Sequence, residues 1–230
     1  MKFFINALSA AMLPLQRAIL RRRVGRLVLE YLDGVPLLVL PDVFNPAIFR
    51  SSALLARTIA TFAPPGQSAG QESGAALDMG TGSGVGAIFA ARQGYRVVGV
   101  DINPEAVRCA RINALLNHLE DRVEVREGDL FAPVQGERFD LVLFNPPFFR
   151  GEPKSHLDAA WRSADVLERF AAGLPAALKP DGHALIVLST HGDALTLLER
   201  LHAYNVGTLP IVRREYSTET LTVYAASLRK

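Results

Sequence analysis

The sequence predicts an α/β protein whose sheet is mostly parallel and covered on both faces, and three observations carry that expectation. Short apolar runs alternate with helical stretches from about residue 75 onward, the pattern of strand–helix–strand units. Hydrophobic residues make up 49% and charged residues 21% of the 230, which supplies a sizeable core and excludes wholesale disorder. The last two apolar runs, around 209–216 and 221–227, are only a few residues apart. That is too short for a parallel crossover, so they form an antiparallel hairpin.

The elements follow in order. Residues 3–23 read as a basic, amphipathic helix. In GRLVLEYLDGVPLLVL two strand-like runs flank Asp33-Gly34, a strong hairpin signal. VFNPAIFRSSALLARTIATF reads as a loop entering a helix, with Ser51 or Ser52 as its cap. Residues 64–75 have loop composition. AALDMG is then a short buried strand, 84–93 a helix and RVVGVD a second strand. Residues 104–117 form a helix with Ala106, Val107, Ala110 and Leu115 as its apolar stripe. VEVREG and FDLVLFN are the third and fourth strands, 164–178 a helix, HALIVLST a fifth strand and 193–204 a helix before the terminal hairpin. The chain divides into an N-terminal basic helix and hairpin extension, residues 1–50, and a main domain, residues 51–230.

Charge and composition exclude several classes. The net charge is +2, too small for nucleic-acid binding by charge alone. Its distribution is uneven: residues 1–29 hold six cations (Lys2, Arg17, Arg21, Arg22, Arg23, Arg26) and no acid, while the other 201 carry 19 cations and 23 acids. Arg150, Lys154 and Arg162 are either solvated charges or contacts for a phosphate or an acidic peptide. The single cysteine, Cys109, rules out a disulfide framework, and the five histidines show no metal-binding spacing, so no metal site is expected. The opening MKFFINALSAAMLP has an apolar stretch and small residues. Asn6 interrupts the stretch, however, and the basic cluster follows it, the reverse of a secretory signal. No window of about 18 uninterrupted apolar residues predicts a membrane span. A cytoplasmic location without stable membrane insertion is expected.

Four motifs carry chemistry. Asp78-Met79-Gly80-Thr81-Gly82-Ser83-Gly84 sits where a strand turns into a helix, and its glycines let the backbone approach a ligand closely. Gly82-x-Gly84-x-x-Ala87 also satisfies a dinucleotide fingerprint, so a nicotinamide-dependent oxidoreductase enters as an alternative. Asp101, ending the second strand before Ile102-Asn103-Pro104, suits a ribose, accepting from both hydroxyls; Asn103 is the better helix cap. In Gly128-Asp129-Leu130-Phe131, Asp129 is placed to accept from an adenine amine, with apolar neighbours over the ring. Asn145-Pro146-Pro147-Phe148 follows the fourth strand. A planar amine attacking a methyl group has its lone pair delocalised. The Asn145 side-chain carbonyl and the Pro146 backbone carbonyl can accept its two hydrogens and favour the positive charge that develops. The two prolines stiffen the loop, and Phe148 offers a ring face.

Taken in order, these motifs resemble those of class I S-adenosylmethionine-dependent methyltransferases, whose Rossmann-like fold has a seven-stranded, mostly parallel sheet. The Asn-Pro-Pro-Phe form resembles the amino-methylating branch, and Ala76 to Phe148 looks most HemK-like. Ser155-His156-Leu157-Asp158-Ala159-Ala160-Trp161 is similar to the small eukaryotic and archaeal form. This sequence lacks the separate helical N-terminal domain of the bacterial release-factor enzymes. Ala47 also stands where the small form has an acidic residue. The resemblance implies S-adenosylmethionine as donor. Asp78, Gly80, Thr81, Gly82 and Gly84 would lie about its methionine part, Asp101, Ile102 and Asn103 at the ribose, Asp129 and Leu130 at the adenine, and Asn145 beside it. Asn145, Pro146, Pro147 and Phe148 would orient the acceptor nitrogen. The acceptor is expected to be macromolecular: a protein glutamine amide of the release-factor type or, alternatively, an exocyclic nucleobase amine in rRNA, tRNA or DNA.

Overall fold

The structure is a computed structural model that describes residues 25–62 and 74–229. The expected N-terminal helix, and most of the 64–75 loop, lie outside the described residues. An antiparallel hairpin comes first, β1 (Val28–Leu32) and β2 (Val35–Val39). Asp33 and Gly34 turn it with φ of +49° and +81°, the two positive values that a tight hairpin of this twist requires. Helix α1 (Arg50–Thr61) follows. Then come β3 (Ala75–Met79), α2 (Val85–Arg92), β4 (Arg96–Asp101), α3 (Pro104–Leu116), β5 (Val123–Glu127) and β6 (Phe139–Phe144). A short insertion holds β7 (Phe149–Arg150), the single turn α4 (His156–Ala159) and β8 (Arg162–Ser163). The chain ends with α5 (Val166–Ala177), β9 (Leu178–Ser189), α6 (Ala194–Ala203), β10 (Val206–Glu215) and β11 (Thr220–Leu228).

The main sheet has seven strands in the order β10-β11-β9-β6-β3-β4-β5. The pairs from β9 to β5 are parallel, and β11 joins β9 and β10 antiparallel, as the short terminal connection requires. Strict alternation decides the layers. Leu141 and Leu143 of β6 face the core shared with α1, α2 and α3, whereas Val142 and Phe144 face the core shared with α5 and α6. With both faces buried, the strands read as continuous apolar runs rather than alternating ones. The hairpin joins the first core through Leu32, Val35 and Leu37. It is pinned to α3 by Asn113, whose Oδ1 accepts from the Leu38 amide at 2.7 Å while its Nδ2 donates to the Leu38 carbonyl at 2.7 Å and the Ser83 carbonyl at 2.9 Å.

Two local expectations need correction. Neither Ser51 nor Ser52 caps α1; Phe49 holds that position without a side-chain bond, and both serines are buried in the first turn. The α3 stripe is Ala106, Val107, Cys109, Ala110, Asn113 and Ala114, and Leu115 is 57% exposed. A stripe drawn at helical spacing fixes the face but not its edge, and Leu115 falls beyond it.

Candidate active site

Register brings the four motifs together. Met79 pairs with Phe144 across β3 and β6 and with Val100 across β3 and β4, while Asp101 pairs with Glu127 across β4 and β5. Gly80, Asp101, Gly128 and Asn145 therefore leave the sheet at one level. The chain builds outward from β3 through β4 to β5, then returns to place β6 on the other side of β3. The crevice at such a reversal is where open α/β sheets bind ligands. A cleft of about 260 Å³ lies there, lined by the residues after β3, β4, β5 and β6 together with Val43, Phe44 and Trp161.

Asp78, Gly80, Thr81, Gly82, Asp101, Ile102, Asn103, Asp129, Leu130, Asn145, Pro146, Pro147 and Phe148 all line this cleft; Gly84 does not. Gly84 has φ +82°, and a Cβ there would sit 3.0 Å from the Cα of Ala110. Its glycine serves the close approach of α2 to α3. Gly80 has φ +66°, and a Cβ on it would meet nothing within 4 Å, so its backbone borders open space.

Several expected ligand contacts have structural duties. The buried Asp78 carboxylate accepts from Thr81 Oγ1 at 2.7 Å and the Ala87 amide at 2.8 Å, tying the glycine turn to the start of α2. Burial pushes its pKa up to about 7, against the pull of these two bonds. Asp101 accepts from the Gly82 amide at 2.8 Å and the Asn103 amide at 2.9 Å, which sets its carboxylate at the cleft edge. Asn103 caps α3 by accepting from the Glu105 amide at 3.0 Å, and its Nδ2 donates to the Asp42 carbonyl at 2.8 Å. Asp129 is half-exposed and ion-paired with Arg169 of α5, which also reaches Asp165. Beside it Leu130 has φ +47°, a left-handed conformation uncommon for a branched side chain. Arg150 is held between Glu168 and Asp193 at 2.6 Å each, and Arg162 by Asp158 at 3.1 Å. Both of these arginines are thus charge-paired within the fold.

Asn145 shows the opposite. Its Nδ2 donates to Ser52 Oγ at 3.1 Å, and its Oδ1 is buried with no hydrogen-bond partner. A buried unpaired acceptor is disfavoured by about 1–3 kcal/mol unless something fills it. Phe148 packs at the edge of the first core, and its backbone touches Gly192, where a Cβ would stand 3.0 Å from the Phe148 carbonyl oxygen. An aromatic corner, Phe44, Phe49 and Trp161, has ring centroids 4.4–4.9 Å apart. The sequence reading did not place Ser52 or Arg169 at the site; Ser52 stood only as a helix-cap candidate, and it meets Asn145 across 93 residues of chain. Trp161 stood in a motif already noted.

A family model described as methyltransferase small domain matches residues 36–209. The chain belongs to that family. Among its relatives, a putative protein N5-glutamine methyltransferase of Methanocaldococcus jannaschii is 33% identical over 69% of this chain and 78% of its own length. A release factor glutamine methyltransferase of Geobacter sulfurreducens is 29% identical over 85% of this chain and 72% of its own. Methyltransferases of rRNA and tRNA are also relatives, and this chain spans between 30% and 53% of their length. Among solved structures, the T. thermophilus 16S rRNA N2 G1207 methyltransferase in complex with AdoMet and guanosine superimposes with a TM-score of 0.63. It is 24% identical and covers 89% of this chain and 50% of its own; the likeness is one of fold. S-adenosylmethionine is the donor that this methyltransferase family and fold call for. Two features of the cleft fit it: the open space over Gly80, and the Asp101 carboxylate at the cleft edge. Among the described residues, no helix is long and apolar enough to cross a membrane.

Proposed function

We propose that this methyltransferase transfers a methyl group from S-adenosylmethionine to the side-chain amide nitrogen of a protein glutamine. The observation that carries the reading is the buried, unpartnered Oδ1 of Asn145. An acceptor N–H fills it, and the Pro146 carbonyl, next in the chain, is the second acceptor. The donor, when bound, supplies an electrophilic methyl on a positively charged sulfur. The residues orient the nitrogen for in-line attack and stabilise the positive charge that grows on it. Asp101 holds the ribose hydroxyls, and Asp129 with Leu130 borders the adenine. Asp129 does so with one carboxylate oxygen already engaged by Arg169. Asn145 is no strong base, so the proton leaves once the methyl has arrived.

Two observations favour a protein acceptor. Arg150 and Arg162, the arginines beside the catalytic loop, are paired with acids and offer no uncompensated charge to a phosphate. The two relatives named above, which this chain spans over most of their own length, are glutamine methyltransferases. Labelled methyl transfer into a cell lysate tests the reading: protease-sensitive label is expected, and nuclease-sensitive label would establish a nucleobase amine instead. Asn145→Ala should cut turnover about 100-fold or more and leave donor affinity within about twofold. Turnover within threefold of the wild type would remove Asn145 from the chemistry.

A further inference from the structure

We propose that Ser52 is a positioning residue for methyl transfer: its hydroxyl holds the amide plane of Asn145 against the cleft, so that the amide meets the acceptor in a fixed position. The inference rests on the role given to Asn145 above. An asparagine amide has two ends of nearly equal size and opposite hydrogen-bonding character. With Oδ1 toward the cleft it accepts from the incoming nitrogen. Rotated by half a turn, it presents N–H groups to N–H groups, and the acceptor is repelled. The acceptor's N–H, which only Oδ1 can meet, selects between these two ends, and a hydroxyl at the far end holds the amide plane in place meanwhile. In this structure that hydroxyl is Ser52 Oγ at 3.1 Å, and Oδ1 is buried without a partner.

The placement of Ser52 suits the task. It is 6% exposed and sits in the first turn of α1 without capping it, so its hydroxyl serves no helix end. The helix is anchored one and two turns further on by Leu55, Ala56 and Ile59, all in the core shared with the sheet. The hydroxyl is therefore carried by a rigid element, 93 residues from Asn145 in sequence, rather than by the loop it orients. A side chain locked from a packed helix holds a reacting group within the narrow tolerance that such chemistry needs.

The test uses the full chain saturated with S-adenosylhomocysteine, labelled with nitrogen-15. The Asn145 side-chain amide signals are assigned by their absence in Asn145→Ala. In the wild type and in Ser52→Thr, which keeps the hydroxyl, they should exchange slowly with solvent; in Ser52→Ala they should move and exchange faster. Turnover is read as methyl transfer from tritiated S-adenosylmethionine to a release factor. Ser52→Ala should lower kcat about 3- to 10-fold with the acceptor KM and donor Kd within twofold. Ser52→Thr should recover it, and adding Ser52→Ala to Asn145→Ala should cost nothing further. Unmoved amide signals in Ser52→Ala, or an equal kcat loss in both backgrounds, would overturn the proposal. A folding defect would show as a change in donor Kd and in signals far from α1, and Ser52→Thr then decides alone. Wild-type protein that transfers no methyl to the release factor overturns the acceptor reading, and the amide signals decide the role of Ser52. Asn145→Ala at wild-type turnover overturns the role of Asn145, and that of Ser52 in catalysis with it.

Discussion

Asp78 stands at the end of β3 with its carboxylate inside the protein, and its pKa is raised from 3.8 to about 7 by burial. The sign of its pH effect follows. A carboxyl that binds its proton more tightly when folded favours the native state most below pH 4, and that advantage is lost as pH rises toward 7. Asp78→Asn carries no such dependence. It should therefore gain on the wild type, by about 2–4 kcal/mol between pH 4 and pH 8, measured as the difference between their unfolding curves. A constant difference would mean that Asp78 is charged in the native state throughout. Asp101 is a carboxylate held at the cleft edge by two backbone amides. Asp101→Ala should weaken S-adenosylhomocysteine binding roughly 10- to 100-fold in titration calorimetry, the effect of losing a charged hydrogen bond. Most of the residues around the cleft were legible because they sit in short contiguous motifs at strand ends. The cap made by Asn103 was legible too, but its bond to the hairpin side and the ion pair of Asp129 were not. Their partners, Asp42 and Arg169, come from segments distant in sequence, and a motif does not record what packs against it.

Among the elements, the glycine turn between β3 and α2 separates packing from binding. Gly84→Ala forces a Cβ against Ala110 at positive φ, so it should destabilise the protein by about 1–3 kcal/mol and leave donor affinity nearly unchanged. Gly80→Ala meets no neighbour. It should cost roughly 1–2 kcal/mol for its left-handed backbone and lower donor affinity, because the new methyl enters the cleft. Equal effects on donor binding would show that the two glycines share one role. On α3, Leu115→Lys should change stability by less than about 0.5 kcal/mol, since the side chain is largely in water. Strands and helices were readable here because strands buried on both faces read as short apolar runs and most parallel connections are helical, the β5–β6 connection with its single 3-10 turn, Ala132–Val134, excepted. The start of α1 was not: a Ser-Ser pair ahead of an apolar run carries the composition of a cap. Both serines instead lie buried inside the first turn of the helix.

Across the whole molecule, the reversal of strand order around β3 collects motifs spread over about 70 residues into one crevice, and the antiparallel end, β10 and β11, lies on the far side of β9. The antiparallel pairing of β10 with β11 was readable from connection length; the strand order was not, since order along the chain does not fix which strands are neighbours. The partition of charge was also legible: six cations precede Glu30, and the remainder is net acidic. Replacing Arg21, Arg22 and Arg23 with Gln should raise the KM for a macromolecular acceptor at low salt and leave donor affinity alone. The difference should fade as salt rises, since exposed charges are screened over about 10 Å at 0.1 M; a KM that does not move would mean that these arginines are only solvated. The Asn113 side chain, meanwhile, binds the hairpin peptide at Leu38 in both directions and the carbonyl of Ser83 in the glycine turn. The hairpin and the glycine turn therefore share one amide group, beside the bonds that Asn117 and Cys109 of α3 make to the Pro36 and Leu38 carbonyls. In hydrogen exchange, the Leu38 amide should slow when S-adenosylhomocysteine is added, although it touches no part of the cleft. In Asn113→Ala that response should vanish, leaving a hairpin that breathes on its own clock.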